Sequence, residues 1–236
     1  MRPASQTVIF DADDTLWETQ TLYSDSKMRF FRKMQQTGFP LEDVKARFET
    51  IDHANVSKLG FSKERFPRSM RDTYSALCTE YARPFDKETD DFVQKIGSAV
   101  FQASPRILDG VTTVLSKLQA NNVRLILATK GDREVQEKRV QISGLRSYFD
   151  SVHILSDKGL KEFVRLIQTE SVPIQNGWSV GNSARSDINP ALAAGLNAIW
   201  IPRETWVHEE AEVAVSSRLH VAKSILEVPV IILQKS

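Results

Sequence analysis

Five short apolar runs alternate with helical stretches along this chain, and this alternation constrains the fold more than any other feature. The runs cover residues 7–12, 123–129, 151–156, 178–182 and 197–202. They are rich in the β-branched and aromatic residues that strands favour. Several are apolar without strict alternation, which indicates strands covered on both faces, as in a parallel sheet. Strand and helix in repeated succession predict an α/β fold with a doubly wound parallel sheet.

The stretches between these runs carry helical periodicity. They cover residues 111–121, 133–144, 160–170 and 188–196. In the first of them Val111, Val114 and Leu118 fall on one face of a helix, and the second ends at Gly144, a residue type that commonly stops helices. These helices are the crossovers that neighbouring parallel strands require.

The middle of the chain shows no strand pattern and predicts an all-helical insert. Four helices are expected, over residues 23–38, 41–60, 66–83 and 87–103. In the first of them Met28, Phe31 and Met34 are spaced along one face. The predicted domains are a core, residues 1–17 and 105–236, and an inserted helical cap, residues 18–104. The two connections between the domains are expected to act as hinges.

Composition limits the classes of partner. The 236-residue chain has 31 Lys and Arg against 30 Asp and Glu, a formal net charge of +1, so neither nucleic acid nor a membrane surface is expected. No run reaches the roughly 18 apolar residues of a membrane span. Cys78 is the single cysteine, so no internal disulfide is possible and the reducing cytoplasm is the expected location. Without ligand-spaced His or Cys, a zinc site is disfavoured.

The first apolar run leads into three aspartates within four positions, Asp11, Asp13 and Asp14. In a doubly wound sheet, ligands bind at the carboxyl ends of the strands, and in an extended chain Asp11 and Asp13 point the same way. Two carboxylates on one side repel each other unless a cation lies between them or one is protonated. Mg²⁺ is the expected cation because it prefers hard oxygen ligands. Asp14 is expected to stabilise the turn instead.

The ends of the other strands add groups that suit a phosphate. The second run ends at Thr129, which offers a hydroxyl, and the turn that begins at Lys130 offers backbone amides at a helix start, where anions bind. Lys158 lies just past the third run, and Asn182 and Asp187 lie in the loop after the fourth. Asp187 also suits the N-cap of the next helix. Together with the first aspartates, these groups predict a phosphate site.

With these motifs the sequence resembles members of the haloacid dehalogenase (HAD) superfamily, which carry four short motifs at successive strand ends. FDADDT matches the first motif with Asp11, Asp13 and Thr15; LILAT matches the second at Thr129; Lys158 matches the third; and GNSARSD matches the fourth with Asn182 and Asp187. Asn182 stands where many members have an acid. The resemblance covers residues 7–17 and 109–236, and it implies a Rossmann-like core with a helical cap.

The resemblance implies a Mg²⁺-dependent phosphatase. Dehalogenases of the superfamily typically lack an acid at the position of Asp13, and phosphonate-cleaving members carry alanine there. The implied roles are Asp11 as nucleophile and Asp13 as general acid and base; Asp11, Asp13 and Asp187 as the residues that hold Mg²⁺; and Thr129, Lys130, Lys158 and Asn182 as phosphate-binding residues. Whether Asn182 also contacts the metal stays open.

Three alternatives to a phosphatase stay open as well. A phosphomutase or other phosphotransferase would form the same aspartyl-phosphate and pass the phosphoryl group to a hydroxyl. A ligand-binding member would lack turnover, and a dehalogenase is the weakest of the three. The expected substrate is a small phosphorylated metabolite, with sugar phosphates, nucleotides and flavin mononucleotide unranked. The oligomeric state is not predicted.

Two C-terminal segments are ambiguous in sequence. Residues 202–212 are an aromatic and charged loop, for which simple packing is favoured over a role of Trp206 and His208 at the border of the site. Residues 226–236 form an apolar tail, which suits either a final edge strand or a contact with a partner.

Overall fold

The structure is a computed structural model that describes residues 6–203 and 211–234. Its strands are β1 (Gln6–Phe10), β2 (Trp17–Glu18), β3 (Arg106–Ile107), β4 (Val123–Lys130), β5 (Ser151–Leu155), β6 (Gly177–Gly181), β7 (Asn197–Trp200) and β8 (Leu219–Val221). Its α-helices are α1 (Gln20–Gln36), α2 (Leu41–Leu59), α3 (Arg65–Glu80), α4 (Lys87–Gln102), α5 (Val111–Ala120), α6 (Arg133–Ile142), α7 (Leu160–Glu170), α8 (Asn189–Ala193) and α9 (Val228–Leu233). Each predicted apolar run contains a strand, and each predicted helical stretch contains a helix.

Six parallel strands form one sheet in the described residues, in the order β5-β4-β1-β6-β7-β8. Helices cover this sheet, which confirms the predicted Rossmann-like α/β core. From β1 the chain builds β4 and β5 outwards on one side, and it then returns to build β6, β7 and β8 on the other. The direction of winding therefore reverses beside β1. A crevice for ligands opens at such a reversal, outside the carboxyl ends of the central strands.

Both faces of the central strands are buried. Along β1, Val8 and Phe10 belong to one apolar cluster, and Ile9 between them belongs to another. Along β4, Leu127 and Ile126 divide between the same two clusters. Successive side chains of a strand point to opposite faces, so a strand covered on both faces carries apolar residues at consecutive positions. This explains why the apolar runs show no strict alternation.

The C-terminal region differs from its prediction. The edge strand is β8, which has three residues, and the tail after it forms α9 rather than a strand. Pro229 lies in the first turn of this helix, where proline is tolerated. Val228 and Ile232 are buried, and their i, i+4 spacing places them on one helix face. Of the two alternatives for the tail, the final edge strand is not formed in residues 226–234, and the contact with a partner stays a prediction.

The chain divides into two compact units, one of residues up to Gln20 and from Ser104 onward, and the other of Thr21–Ala103. In the first unit β2 and β3 pair in antiparallel fashion, with Trp17 opposite Ile107. The two segments that were predicted as connections thus form a short two-stranded ribbon. Their action as hinges stays a prediction.

The second unit, in its described residues, is built from the helices α1 to α4. Its apolar core draws on all four of them, including Phe30, Phe48, Met70 and Val93. On α1 the buried apolar residues are Phe30 and Met34, whereas Met28 is half exposed. Of the predicted face, Met34 is buried and Phe31 packs partly buried against the core, but Met28 is wrong, because the fully buried stripe follows i, i+4 spacing. The role of this unit as a cap stays a prediction.

In residues 6–203 and 211–234, no helix has both the length and the apolar character needed to cross a membrane.

Candidate active site

The polar residues predicted at the strand ends meet at the carboxyl edge of the sheet. Asp11 directly follows β1, and its amide donates to the Val180 carbonyl of the neighbouring strand β6 at 2.9 Å. Strand pairing therefore fixes the place of this side chain. Lys158 lies between β5 and α7, and Asn182 directly follows β6. Parallel strands end at the same edge, so residues distant in sequence come together there.

Lys158 joins two carboxylates at the centre of this edge. Its ammonium donates to Asp11 Oδ1 at 2.7 Å and to Asp187 Oδ1. The side chains are almost fully buried, with 2% of Lys158, 11% of Asp11 and 2% of Asp187 exposed. Buried charges require partners because they have lost their hydration. These three residues, here called the Asp11–Lys158–Asp187 cluster, therefore act as one electrostatic unit.

The cluster carries one more negative than positive charge when all three groups are ionised. Burial raises the pKa of Asp11 to about 7, and the Asp187 carboxylate adds to the rise, against the lowering effect of Lys158. Burial alone lowers the pKa of Lys158, but the two carboxylates raise it above its ordinary value, so this side chain stays an ammonium. The remaining negative charge favours a further cation at this edge.

Asp187 lies in a π-helical turn, Ala184–Ile188, between β6 and α8. Turns of this kind are frequent at functional sites. Asp187 Oδ2 accepts a hydrogen bond from the Ser183 amide at 2.9 Å, and the Asp187 carbonyl accepts one from the Ser179 hydroxyl at 2.9 Å. Asp187 does not cap α8, whose N-cap position is Ile188 without a side-chain cap; its carboxylate reaches Lys158 and the Ser183 amide instead.

A glycine at the end of β6 makes room for this carboxylate. A Cβ atom at Gly181 would overlap the carboxyl group and the Cβ of Asp187. The Cβ of Asp187 is attached directly to the backbone, and in a packed interior it has little freedom to move aside. The lack of a side chain at Gly181 is therefore what lets Asp187 approach the sheet edge.

Thr129 is buried near the end of β4, and its hydroxyl has no hydrogen-bond partner within the described residues. A buried hydroxyl without a hydrogen bond destabilises the fold, and a ligand that accepts a hydrogen bond from it is one explanation for its presence. One amide of the following turn is already engaged, because the Gly131 amide donates to the Leu155 carbonyl at 3.2 Å and continues the sheet pairing. Anion binding by the other amides of this turn stays a prediction.

Lys130 and Asn182 tie neighbouring loops together. Lys130 Nζ donates to Ser186 Oγ at 2.9 Å. Asn182 Oδ1 accepts from the Thr15 hydroxyl at 3.3 Å, and its carbonyl accepts from Trp200 Nε1 at 2.8 Å. The structure therefore brings both residues to the sheet edge but engages them with other side chains. Their contact with a phosphate stays a prediction.

Asp13 has a separate set of partners. Trp17 Nε1 donates to its Oδ1 at 2.6 Å, and Gln136 Nε2 donates to its Oδ2 at 2.9 Å. Arg139 Nη1 lies 3.0 Å from Oδ2 and 3.3 Å from Oδ1. The two aspartates of the first motif thus share an edge of the sheet, but Asp11 pairs with a lysine and Asp13 with an arginine.

Gln136 and Arg139 lie outside the sequence motifs of the site. Both lie on α6, where they are buried on the same stripe as Val135 and Val140. A signal in the sequence could have identified them. They are polar residues on the apolar stripe of a helix, and this helix directly follows β4, a strand that ends at the site.

Asp14 stabilises a turn, as predicted. Its φ of 62° lies in the left-handed region, which Asp tolerates better than most residues. Its carboxylate accepts from the Thr19 amide at 2.8 Å, the Thr19 hydroxyl at 2.7 Å and the Gln20 amide at 3.0 Å. Asp14 therefore holds the start of α1 rather than a ligand. Trp206 and His208 lie outside the described residues.

Residues 6–195 match the family model of the haloacid dehalogenase-like hydrolases. The chain is 25% identical over 204 residues to the HAD hydrolase YfnB of Bacillus subtilis, with 83% of each chain covered. It is 24% identical over 207 residues to the pyrimidine 5'-nucleotidase YjjG of Escherichia coli, and this alignment covers 82% of this chain and 84% of YjjG.

Solved structures show the same fold. A HAD-like family hydrolase from Xanthomonas campestris superposes with a TM-score of 0.83 at 24% identity, over 99% of this chain and 92% of that one. The magnesium-bound crystal structure of B. subtilis YfnB superposes with a TM-score of 0.65 at 20% identity, over 98% of this chain and 99% of that one. At these identities, the structural likeness bears on the fold alone.

Replacing Gly181 with alanine is expected to lower the free energy of unfolding by about 1–3 kcal/mol, because the added methyl group overpacks the space of the Asp187 carboxylate. Urea unfolding followed by circular dichroism measures the change. Gly159→Ala is the matched control, since a Cβ there meets only the carboxylates of Glu162 and Asp157, at 3.2 and 3.4 Å. Equal unfolding free energies for the two variants would contradict the close packing of Gly181 and Asp187.

Replacing Lys158 with methionine is expected to lower the free energy of unfolding by about 3–5 kcal/mol, because it leaves Asp11 and Asp187 buried without their cation. The control is Lys161→Met, which removes an exposed ammonium from the first turn of α7. The same urea experiment, carried out in chelator, compares the two variants. If Lys158→Met costs no more than Lys161→Met, the ammonium does not hold the cluster together.

Proposed function

Because the chain belongs to the haloacid dehalogenase-like hydrolases, we propose that this hydrolase is a Mg²⁺-dependent phosphatase of a small phosphomonoester. The observation that carries the proposal is the Asp11–Lys158–Asp187 cluster at the same sheet edge as the Thr129 hydroxyl, which has no hydrogen-bond partner among the described residues. A carboxylate nucleophile, an ammonium and a hydroxyl donor are groups that phosphoryl transfer uses. The name of the relative YjjG, a pyrimidine 5'-nucleotidase, supports this class of activity.

Thr129 and Lys158 are the proposed main contacts of the phosphoryl oxygens. The Thr129 hydroxyl would gain the hydrogen bond that it lacks in the described residues. The Lys158 ammonium would stabilise the negative charge that develops on the phosphoryl group. Lys130 and Asn182, which hold the adjacent loops, are proposed to complete the phosphate site. The rest of the substrate, a small phosphorylated metabolite, is not specified by these contacts.

The residues present fit a magnesium ion. In residues 6–203 and 211–234 no three His, Cys, Asp or Glu side chains form a metal-binding group, but Mg²⁺ keeps several waters and takes only one or two carboxylates. Asp11 and Asp187, with the main-chain carbonyl of Asp13, provide such a set. The raised pKa of Asp11 also fits, because a cation favours the ionised carboxylate. Bound Mg²⁺ would offset the repulsion between Asp11 and the phosphate.

The first proposed step transfers the phosphoryl group to the protein. An Asp11 carboxylate oxygen attacks phosphorus in line, a new bond forms between that oxygen and phosphorus, and the bond from phosphorus to the ester oxygen breaks. The ester oxygen takes a proton from the Asp13 carboxyl group and leaves as an alcohol. Asp13 is then a carboxylate.

The second proposed step releases the phosphate. Asp13 takes a proton from a water molecule as the water oxygen attacks phosphorus. The bond between phosphorus and Asp11 breaks, which frees inorganic phosphate and returns both aspartates to their starting states. Over both steps the ester and one water give an alcohol and inorganic phosphate.

The contacts of Asp13 favour a phosphatase over a dehalogenase. A halide leaves as a stable anion and needs no proton, so a dehalogenase has no use for an acid at this position. In this structure Trp17, Gln136 and Arg139 orient the Asp13 carboxylate, and the presence of an acid at this position is what supports the phosphatase. A phosphomutase would use the same residues and differs in its product, and a ligand-binding member would release no phosphate.

Phosphate release from a panel of small phosphomonoesters is expected to require both Mg²⁺ and Asp11. Asp11→Asn removes the attacking carboxylate at constant volume, and removal of a nucleophile is expected to lower kcat by at least about 10⁴-fold. The measurement compares wild type and Asp11→Asn, with Mg²⁺ and with chelator. Asp91→Asn is the control, an equivalent change at an exposed position of α4. Full activity of Asp11→Asn would refute the nucleophile, and phosphoryl transfer to a sugar hydroxyl would favour the phosphomutase.

Mg²⁺ is expected to raise the melting temperature of the wild type but not of Asp187→Asn. A ligand that binds only the folded state stabilises it by about 2.7 kcal/mol at a hundredfold excess over its Kd. Asp187→Asn removes one of the two proposed carboxylate ligands, so this stabilisation should be largely lost. Thermal unfolding in chelator and in increasing Mg²⁺ measures the effect, with Asp91→Asn as the control. An equal rise in Asp187→Asn would exclude Asp187 as a ligand.

A further inference from the structure

The carboxylate of Asp13 is held by side chains that no sequence motif of the site contains. Trp17 and Arg139 donate to Oδ1, at 2.6 and 3.3 Å, and Gln136 and Arg139 donate to Oδ2, at 2.9 and 3.0 Å. Both carboxylate oxygens are thus engaged, and by groups from two separate parts of the chain. A side chain held at both oxygens has a fixed plane and a fixed position.

These partners are themselves buried. Trp17, Gln136 and Arg139 are buried, at 0%, 3% and 3% exposure, although Gln and Arg are residue types that usually face water. The side chain of Asp13 is 29% exposed. The arrangement therefore places a partly open carboxylate, the kind that can meet a substrate, on buried side chains, which have little room to move in a packed interior.

The orientation of Gln136 shows that it serves Asp13. Its Nε2 donates to Asp13 Oδ2 and, at 3.3 Å, to the Lys130 carbonyl. Its Oε1 is buried without a hydrogen-bond partner in the described residues. Turning the amide over would place an oxygen against two acceptors, so only the observed orientation is compatible with its neighbours. An unsatisfied Oε1 is costly, and the hydrogen bonds of Nε2 to Asp13 and Lys130 hold the amide in this orientation despite that cost.

We propose that Gln136 and Arg139 are positioning residues that hold Asp13 in the place from which it exchanges protons in both chemical steps. This inference rests on the proposed phosphatase function. Gln136 joins Asp13 to Lys130, the residue after Thr129, so the proton-transferring carboxylate and the phosphate-binding strand β4 are connected through one side chain. Arg139 fixes the plane of the carboxylate through contact with both of its oxygens.

The two steps depend on Asp13 to different degrees, and this gives a specific test. The nitrophenolate of p-nitrophenyl phosphate leaves without a proton, so its first step does not need Asp13. An alkyl phosphate needs a proton in the first step. The second step needs Asp13 as a base for every substrate, because the same aspartyl-phosphate is hydrolysed. A misplaced Asp13 should therefore slow alkyl ester cleavage and aspartyl-phosphate hydrolysis, and spare attack on the nitrophenyl ester.

The experiment uses Arg139→Met and Gln136→Met in the full chain with Mg²⁺. For an alkyl phosphate from the panel, kcat/KM is expected to fall about 10²-fold. For p-nitrophenyl phosphate, kcat should fall by a similar factor while kcat/KM stays unchanged. A burst of one equivalent of nitrophenol should appear, because aspartyl-phosphate accumulates. Arg139→Lys, which keeps a cation, should recover part of the activity.

Lys138→Met is the matched control, because Lys138 is the exposed neighbour of Arg139 on α6, and it should behave like the wild type. Circular dichroism confirms that each variant is folded, and Gln136→Met supplies an independent test if Arg139→Met does not fold. Unchanged kinetics in folded Gln136→Met or Arg139→Met would overturn the inference. So would an equal loss on both substrates without a burst, since that pattern indicates a general disturbance of the site.

Failure of this inference differs from failure of the proposed function. If the wild type releases no phosphate from any ester, the phosphatase is wrong and these variants have no activity to compare. If the wild type is active and depends on Asp11, the phosphatase stands, and the comparison of alkyl and nitrophenyl esters decides the role of Gln136 and Arg139 alone.

Discussion

The ammonium of Lys158 between two buried carboxylates is the interaction on which the rest of the site depends. Without this cation, Asp11 and Asp187 would face each other in a medium that screens charge poorly. Each of the three residues comes from a different strand end, so the cluster exists only when β1, β5 and β6 are in their places in the sheet. Packing of two apolar faces holds those strands, and it offsets the cost of burying the charges. The packing of the sheet thus holds Asp11 and Asp187 close together, although the repulsion between their carboxylates disfavours this position.

The same edge gives the two aspartates of the first motif different surroundings. Asp11 is buried beside a second carboxylate, and the balance of charge around it is negative. Asp13 is more exposed, and it faces the guanidinium of Arg139 and two neutral donors. Pairs of carboxylates acquire separate chemical roles when their environments differ in this way. The difference arises from structure alone, since the two residues are separated by a single alanine.

Sequence predicted those parts that follow from strand pattern and from polar residues at strand ends. A parallel sheet ends its strands at one edge, so the presence of Asp11, Thr129 and Lys158 at or near the same edge could be predicted. The supports of Asp13 could not, because Gln136 and Arg139 lie on a helix face whose direction depends on packing. The π-helical turn of Asp187 was also beyond a pattern that assumed an ordinary helix start. Likewise, the sequence of α1 suits an i, i+3 stripe that includes Phe31. In the structure the fully buried stripe follows i, i+4 spacing and includes Phe30 instead.

Asn182 shows how the charge of the site limits its residues. It directly follows β6, where many members of the family carry an acid, and its Oδ1 accepts from the Thr15 hydroxyl. An amide retains this link between the loops after β1 and β6 without adding charge. A carboxylate there would add a second uncompensated negative charge beside the Asp11–Lys158–Asp187 cluster, and each such charge disfavours the ionised form of its neighbours. In this chain the site's excess charge therefore rests on Asp11 and Asp187, and these are also the carboxylates that a cation could use.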